Sequence, residues 1–214
     1  MKKLSLFLVC MFGAIAAMFA QSDYKPATEE QQKEMTQKIT KATEQLKTLQ
    51  CDFVQKKAIS ILADEIISEG RMSFKQPDKL RWEYTKPYQY EFVMNGDKVM
   101  INSGTTKNVI EVNSSKMFRE ISKIIVSGIN GAGIFDKSKF TAQFMVGAKD
   151  DMAILIPKQK EIKQLFNKIQ IRFNKSDYTV NSVEIEELNE DTTFIEMKNK
   201  QFNKGLGDEM FDIR

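Results

Sequence analysis

Few residues in this chain can do covalent or metal chemistry. Its 214 residues include no histidine and two cysteines, Cys10 and Cys51. Without imidazole, Ser-His-Asp and Cys-His catalysis are excluded, as are the common zinc sites and histidine-based pH switching. Cys51 stands two residues before Phe53 at the start of a strand-like segment. That setting suits a small buried hydrophobe better than a nucleophile with no base beside it. No glycine-rich phosphate loop and no cluster of cysteine ligands occurs. Carboxylates are plentiful, so a two-carboxylate hydrolase remains open as a remote alternative. No spacing picks out such a pair, and Glu184, Glu186 and Glu187 read as a solvated strand edge and turn. The expectation is a binding protein, not an enzyme, with no cofactor and no metal.

The amino terminus predicts export. Lys2 and Lys3 precede an apolar run from Leu4 to Ala20, small residues (Ala16, Ala17, Ala20) close it, and Gln21-Ser22-Asp23 turns polar. This is the pattern of a cleaved secretory signal over residues 1–20, cut near Ala20. The run is shorter than the ~20 residues that span a bilayer. Cys10 lies inside it behind Val9, a poor setting for lipidation. Removing Lys2 and Lys3 lowers the formal net charge from +3 to +1. A near-neutral exported chain implies no nucleic-acid partner. Cys51 alone is left after cleavage, so stability must come from the core. Residues 21–214 read as one exported domain, expected to be a monomer.

The element pattern is one helix followed by many short strands. Thr28 can cap a helix with Glu29 and Glu30 in its first turn. Met35, Ile39, Ala42, Leu46 and Leu49 then form one apolar stripe over roughly six turns. Strands are expected over 51–60, 65–75, 79–85, 89–94, 98–102, 108–112, 140–146, 152–156, 165–173, 179–188 and 192–202, with Asn95-Gly96-Asp97 as a hairpin turn. Such short, regular spacing predicts an antiparallel meander. Ser114 or Ser115 can cap a further helix carrying Met117, Phe118, Ile121, Ile124 and Ile125, ended by the glycine-rich run 128–133. That helix reads equally as core or as a hinged lid.

The richest segment is Gly70 to Pro87. Leu80, Trp82 and Tyr84 alternate with Lys79, Arg81 and Glu83, so one face of this strand is large and aromatic. Tyr90, Phe92 and Met94 repeat the pattern on the next strand, and Phe140, Ala142 and Phe144 on a later one. The predicted lining of a lipid cavity is Met72, Phe74, Leu80, Trp82, Tyr84, Tyr90, Phe92, Met94, Phe144, Met152 and Ile154 from strands, with Phe118, Ile121, Ile124 and Ile125 from the lid. Met100 and Met117 add flexible apolar side chains in the predicted sheet and lid.

The order of these features resembles the periplasmic outer-membrane lipoprotein carrier family, LolA-like. The resemblance rests on a signal, an amphipathic helix, Phe53-Val54-Gln55, Gly70, Phe74, Pro77, Leu80 to Tyr84, Pro87 and the Asn95-Gly96-Asp97 hairpin. It is most specific between Phe53 and Ile101. The family implies an α+β, mainly antiparallel β fold: a strongly curved, unclosed half-barrel sheet with helices on its concave side. It implies a carrier that binds the acyl chains of lipidated proteins and shuttles them from inner to outer membrane. An inner-membrane release complex and an outer-membrane acceptor would be its partners. One position departs: the family's basic residue before the proline is Gln76 here, with Lys75 before it. A LolA-like module for another acyl lipid, such as a glycolipid or fatty-acyl species, is the alternative.

Overall fold

The computed structural model describes residues 23–62, 64–112, 126, 128–129 and 136–213. The proposed signal and the lid residues Phe118, Ile121, Ile124 and Ile125 lie outside them.

The chain opens with β1 (Tyr24–Pro26) and α1 (Glu29–Gln45). The backbone N of Gln31 donates to Thr28 Oγ1 at 3.3 Å, and that of Thr28 to Gln31 Oε1 at 2.9 Å. This reciprocal capping box satisfies two N–H groups that a helix start leaves open. The helix buries Met35 and Ile39 but is shorter than its apolar stripe. Leu46 is already an extended cap, and Leu49 belongs to β2 (Thr48–Ala58). Strand pairing ends the helix: the Lys47 N–H goes to Asn203 Oδ1 at 2.7 Å, and Thr48 enters the ladder opposite Lys75.

Then follow β3 (Ile66–Lys75), β4 (Lys79–Lys86), β5 (Tyr90–Asn95), β6 (Lys98–Asn102) and β7 (Lys107–Glu111). After them come β8 (Phe140–Gly147), β9 (Asp150–Pro157), a one-turn α2 (Lys160–Lys163), β10 (Phe166–Asn174), β11 (Val180–Glu187) and β12 (Thr192–Phe202). A 3-10 helix at Asp208–Phe211 closes the chain. The sequence pattern missed β1, α2 and this last turn, which are too short to display a period. The β5–β6 hairpin turns on Gly96, whose φ of +58° favours glycine.

Together the strands form one antiparallel sheet in the order β1-β8-β9-β10-β11-β12-β2-β3-β4-β5-β6-β7. Its edges, β1 and β7, do not pair with each other among the described residues, so it is unclosed. It is also strongly rolled. Residues of β5 and β9 line one common cavity although seven places apart in the order. In a flat sheet they would stand about 34 Å apart at ~4.8 Å per strand.

The concave rows follow from the register. Leu49, Phe74, Leu80, Met94 and Val99 stand opposite one another in turn, as do Cys51, Met72, Trp82, Phe92 and Ile101. The helix lies across this concave side at one end, its Met35 and Ile39 in the same cluster as Leu49, Phe74, Leu80, Phe173 and Val180. Its start is tied near β8, where the Ala27 N–H donates to Phe144 O at 2.9 Å. Near its other end Gln76 Nε2 donates to Thr43 O at 3.1 Å. On the convex side the tail crosses the sheet, and Leu206 and Phe211 pack on Val93 and Met100.

Candidate functional site

Where α1 ends its cover, the concave side is hollow. A cavity of about 350 Å³ sits between the two wings of the rolled sheet. One wall carries Gln55, Leu80, Trp82, Tyr84, Tyr90 and Phe92. The facing wall is aliphatic, with Leu155, Ile169, Ile171, Val183, Ile185 and Ile195. Met197 and Phe140 complete it, with Ile129, Gly128, Asp136 and Lys139 at its margin. That volume lies at the lower end of the ~300–1,000 Å³ typical of small-molecule sites.

The aromatic wall is built by cross-strand packing around a glycine. Phe53, Gly70 and Tyr84 are directly opposite on β2, β3 and β4. A Cβ at Gly70 would lie 2.1 Å from the Glu83 carbonyl oxygen and 2.4 Å from the Phe53 ring. Glycine therefore lets Phe53 lean across β3. There it meets Trp82 with centroids 4.4 Å apart, and Tyr84 edge-on at 5.1 Å. Such pairs favour offset and edge geometries and hold their rings in place. Tyr84 reaches Tyr90 at 5.9 Å, and Tyr90 is partly open to solvent.

Polar groups are sparse in this lining. The Tyr84 hydroxyl donates to Gln55 Oε1 at 2.8 Å. Burial pushes the Tyr84 pKa up, partly offset by the Trp82 N–H. The indole N–H lies close enough to favour the phenolate, yet makes no hydrogen bond of normal geometry among the described residues. At the margin Asp136 is held below the usual carboxylate range, chiefly by the Ser138 hydroxyl and also by its backbone N–H and by Lys139 at 3.8 Å. Asp136 is the one carboxylate among the described lining residues. A two-carboxylate hydrolase needs a facing pair. Cys51 is buried and its thiol is pushed up to about 12 by that burial, the state of a core side chain and not of a nucleophile.

Several predicted lining residues stand elsewhere. Leu80, Trp82, Tyr84, Tyr90 and Phe92 line the cavity. Met72, Phe74 and Met94 share their face but are sealed in the packed core. Phe144 is concave as well, and packs beside the start of α1. Met152 and Ile154 point the other way: Met152 stands opposite Arg172 and Ile154 opposite Gln170, while Ala153 and Leu155 pair with Ile171 and Ile169. Met100 is on the convex side under Phe211. Branched aliphatics, not methionines, are the largest group in the lining, and Met197 is the methionine that contributes. The sequence reading missed the aliphatic wall of β9 to β12, although Ile169-Gln170-Ile171 and Val183-Glu184-Ile185 alternate plainly.

The turn after β3 carries the departure from the family pattern. Gln76 is bonded to α1, and Lys75 Nζ reaches outward to the Leu206 carbonyl at 2.9 Å and Asp208 at 2.8 Å.

Comparison with known proteins gives a family and a set of similar folds. The family model described as outer membrane lipoprotein carrier protein LolA matches residues 44–214. The chain belongs to the LolA family. An outer-membrane lipoprotein carrier protein of Francisella tularensis subsp. tularensis is 23% identical over 182 residues, covering 84% of this chain and 83% of that one. One from Methylococcus capsulatus is 40% identical over 53 residues, a quarter of each chain (25% and 26%). Among solved structures, an uncharacterized conserved protein of Thermus thermophilus superposes with a TM-score of 0.50 at 8% identity, covering 84% of this chain and 91% of that one. The Pseudomonas aeruginosa MucA/MucB complex gives 0.51 at 8% identity, covering 85% and 60%. At such identities the structures speak for the LolA-like fold alone.

Proposed function

We propose that this LolA-family protein is a periplasmic carrier of lipidated proteins. It takes their acyl chains into the concave cavity at an inner-membrane release complex and delivers them to an outer-membrane acceptor. The observation that carries this reading is the cavity itself, an apolar space walled by both wings of one sheet. Each acyl methylene sheltered there saves ~0.8 kcal/mol relative to water. The chain is read as exported by a signal cleaved near Ala20, leaving residues 21–214 as one monomeric domain that works without metal or cofactor. The export reading is compatible with the described residues, where no helix is long and apolar enough to cross a membrane.

A second reading, another acyl lipid as cargo, is favoured by the turn after β3. Gln76 and Lys75 are both engaged away from the cavity, so the family's basic residue at this position has no counterpart there. Purification from the native periplasm, followed by mass spectrometry of the bound ligand, tests both. Diacylated or triacylated polypeptide supports the lipoprotein carrier. A glycolipid or free fatty-acyl species supports the second reading, and a lipid-free cavity after gentle extraction overturns both.

A further inference from the structure

Polarity changes in order along the concave face of β2. Leu49, Cys51 and Phe53 are buried core, Gln55 lines the cavity, and Lys57 pairs with Glu187 at 2.8 Å beyond it. Gln55 lies opposite Ile195, and Ile171, Val183, Ile185 and Met197 surround the same space. An amide on an otherwise apolar wall is costly unless it meets a partner. Its oxygen has one in the Tyr84 hydroxyl. With the oxygen so fixed, the amide turns its two N–H donors elsewhere. Among the described residues the Tyr84 hydroxyl is the one hydrogen-bond partner of this side chain's amide, and it takes the oxygen.

We propose that Gln55, oriented by Tyr84, donates to the carbonyl oxygen of an acyl ester or amide. Cargo therefore enters tail first. This rests on the acyl-carrier reading. The hydrocarbon end occupies the aliphatic space near Ile171, Val183 and Met197, and the linkage stops at Gln55. The polar remainder leaves past the Lys57–Glu187 pair. A carbonyl fits because it accepts without donating, and because it is neutral. A charged headgroup drawn to this depth would be far costlier. Gln55 thus sets how far cargo inserts and distinguishes acyl-linked lipids from hydrocarbon.

The test is direct binding of radiolabelled lipids of equal chain length: ester-linked diacylglycerol, its ether-linked dialkyl analogue, and an N-acyl amide. Wild type is expected to bind the ester or the amide about tenfold more tightly than the ether, the scale of one hydrogen bond in a dry site. Whichever is tighter identifies the linkage that Gln55 reads. In Gln55→Leu that preference disappears, with ester, amide and ether binding alike, and their retained binding reports an intact cavity. Tyr84→Phe loses part of the preference, because the amide loses its holder. Equal binding of all three by wild type, or a preference that survives in Gln55→Leu, overturns the proposal and leaves the carrier reading standing. Failure to bind any of the lipids overturns both.

Discussion

The two ends of the half-barrel are built from the same strands but do opposite things. At one end, α1 lays Met35 and Ile39 onto Leu49, Phe74 and Phe173, and little space is left. This end is also locked by polar contacts. The Tyr178 hydroxyl donates to buried Asp151 at 2.7 Å, and Lys38 of α1 stands 5.0 Å over the Tyr178 ring. At the other end, the same rows continue as Trp82, Tyr84, Ile171 and Ile185 around empty volume. The first end supplies stability that the second gives up. A carrier needs that division, since a cavity open to cargo forgoes packing that a core would have made.

The largest expected effect tests that division directly. Phe74→Ala in the packed end should cost about 3–5 kcal/mol, the range for truncating a fully buried aromatic. Ile185→Ala at the hollow end should cost under about 2 kcal/mol, because its side chain already faces space. Urea denaturation of the two variants measures both. Equal losses would mean that the ends are packed alike and the comparison fails.

Gly70 sits at the border between the ends. Gly70→Ala places a methyl against the Glu83 carbonyl and the Phe53 ring. A cost of about 1–3 kcal/mol is expected from overpacking, since backbone on one side cannot yield. Because Phe53 braces Trp82 and Tyr84, tryptophan fluorescence should shift as well. Adding Phe53→Leu should recover part of the stability, as a smaller side chain makes room. No recovery in the double variant would place the strain in the backbone alone.

The hollow end can also be filled. Ile185→Trp should lower affinity for a fluorescent fatty-acyl probe by about tenfold or more while leaving the urea midpoint little changed, since the indole occupies volume that cargo needs. A variant that binds the probe like wild type would move the binding site out of this cavity.

How much of this was legible follows the same division. The aromatic wall could be read because Leu80, Trp82 and Tyr84 alternate cleanly with charged residues, and a two-residue hairpin turn at Gly96 fixes the register of the neighbouring strands. The segment from Met152 to Ile156 is apolar at every position. No period chooses a face there, and only pairing with β10 shows that Ala153 and Leu155 point inward. Met72 and Met94 had the right face and the wrong neighbourhood. They are sealed in the packed cluster that also holds Met35 and Ile39 of α1, distant in sequence, and burial of that kind leaves no local mark. The aliphatic wall shows the same limit, since alternation in β10 and β11 is plain but the rolling that brings it to face Trp82 is a property of the whole sheet.

The smallest expected effect concerns the outer clamp of the packed end. Asp208 on the tail meets Lys75 at 2.8 Å and Lys79 at 2.9 Å, the two residues flanking the β3–β4 turn. Hydrogen bonds from these two lysines hold its pKa down to about 2. The folded value lies below the ordinary ~3.9 of an aspartate, so the attachment is fully present above about pH 4 and is lost as pH falls through about 2. The carboxylate is exposed, so the effect is local and screened by salt. Asp208→Asn removes it at every pH. Hydrogen exchange at Val93 and Met100, which the tail seals, and at Phe211 within the tail should therefore be faster in the variant than in wild type at neutral pH. Exchange at Ile185 and Ile195 in the hollow end should not change. The difference between the two proteins should close between about pH 4 and pH 2 as the wild-type carboxylate protonates. Faster exchange at both ends would show that the clamp supports the whole sheet, and the two ends would then have to be treated as one cooperative unit.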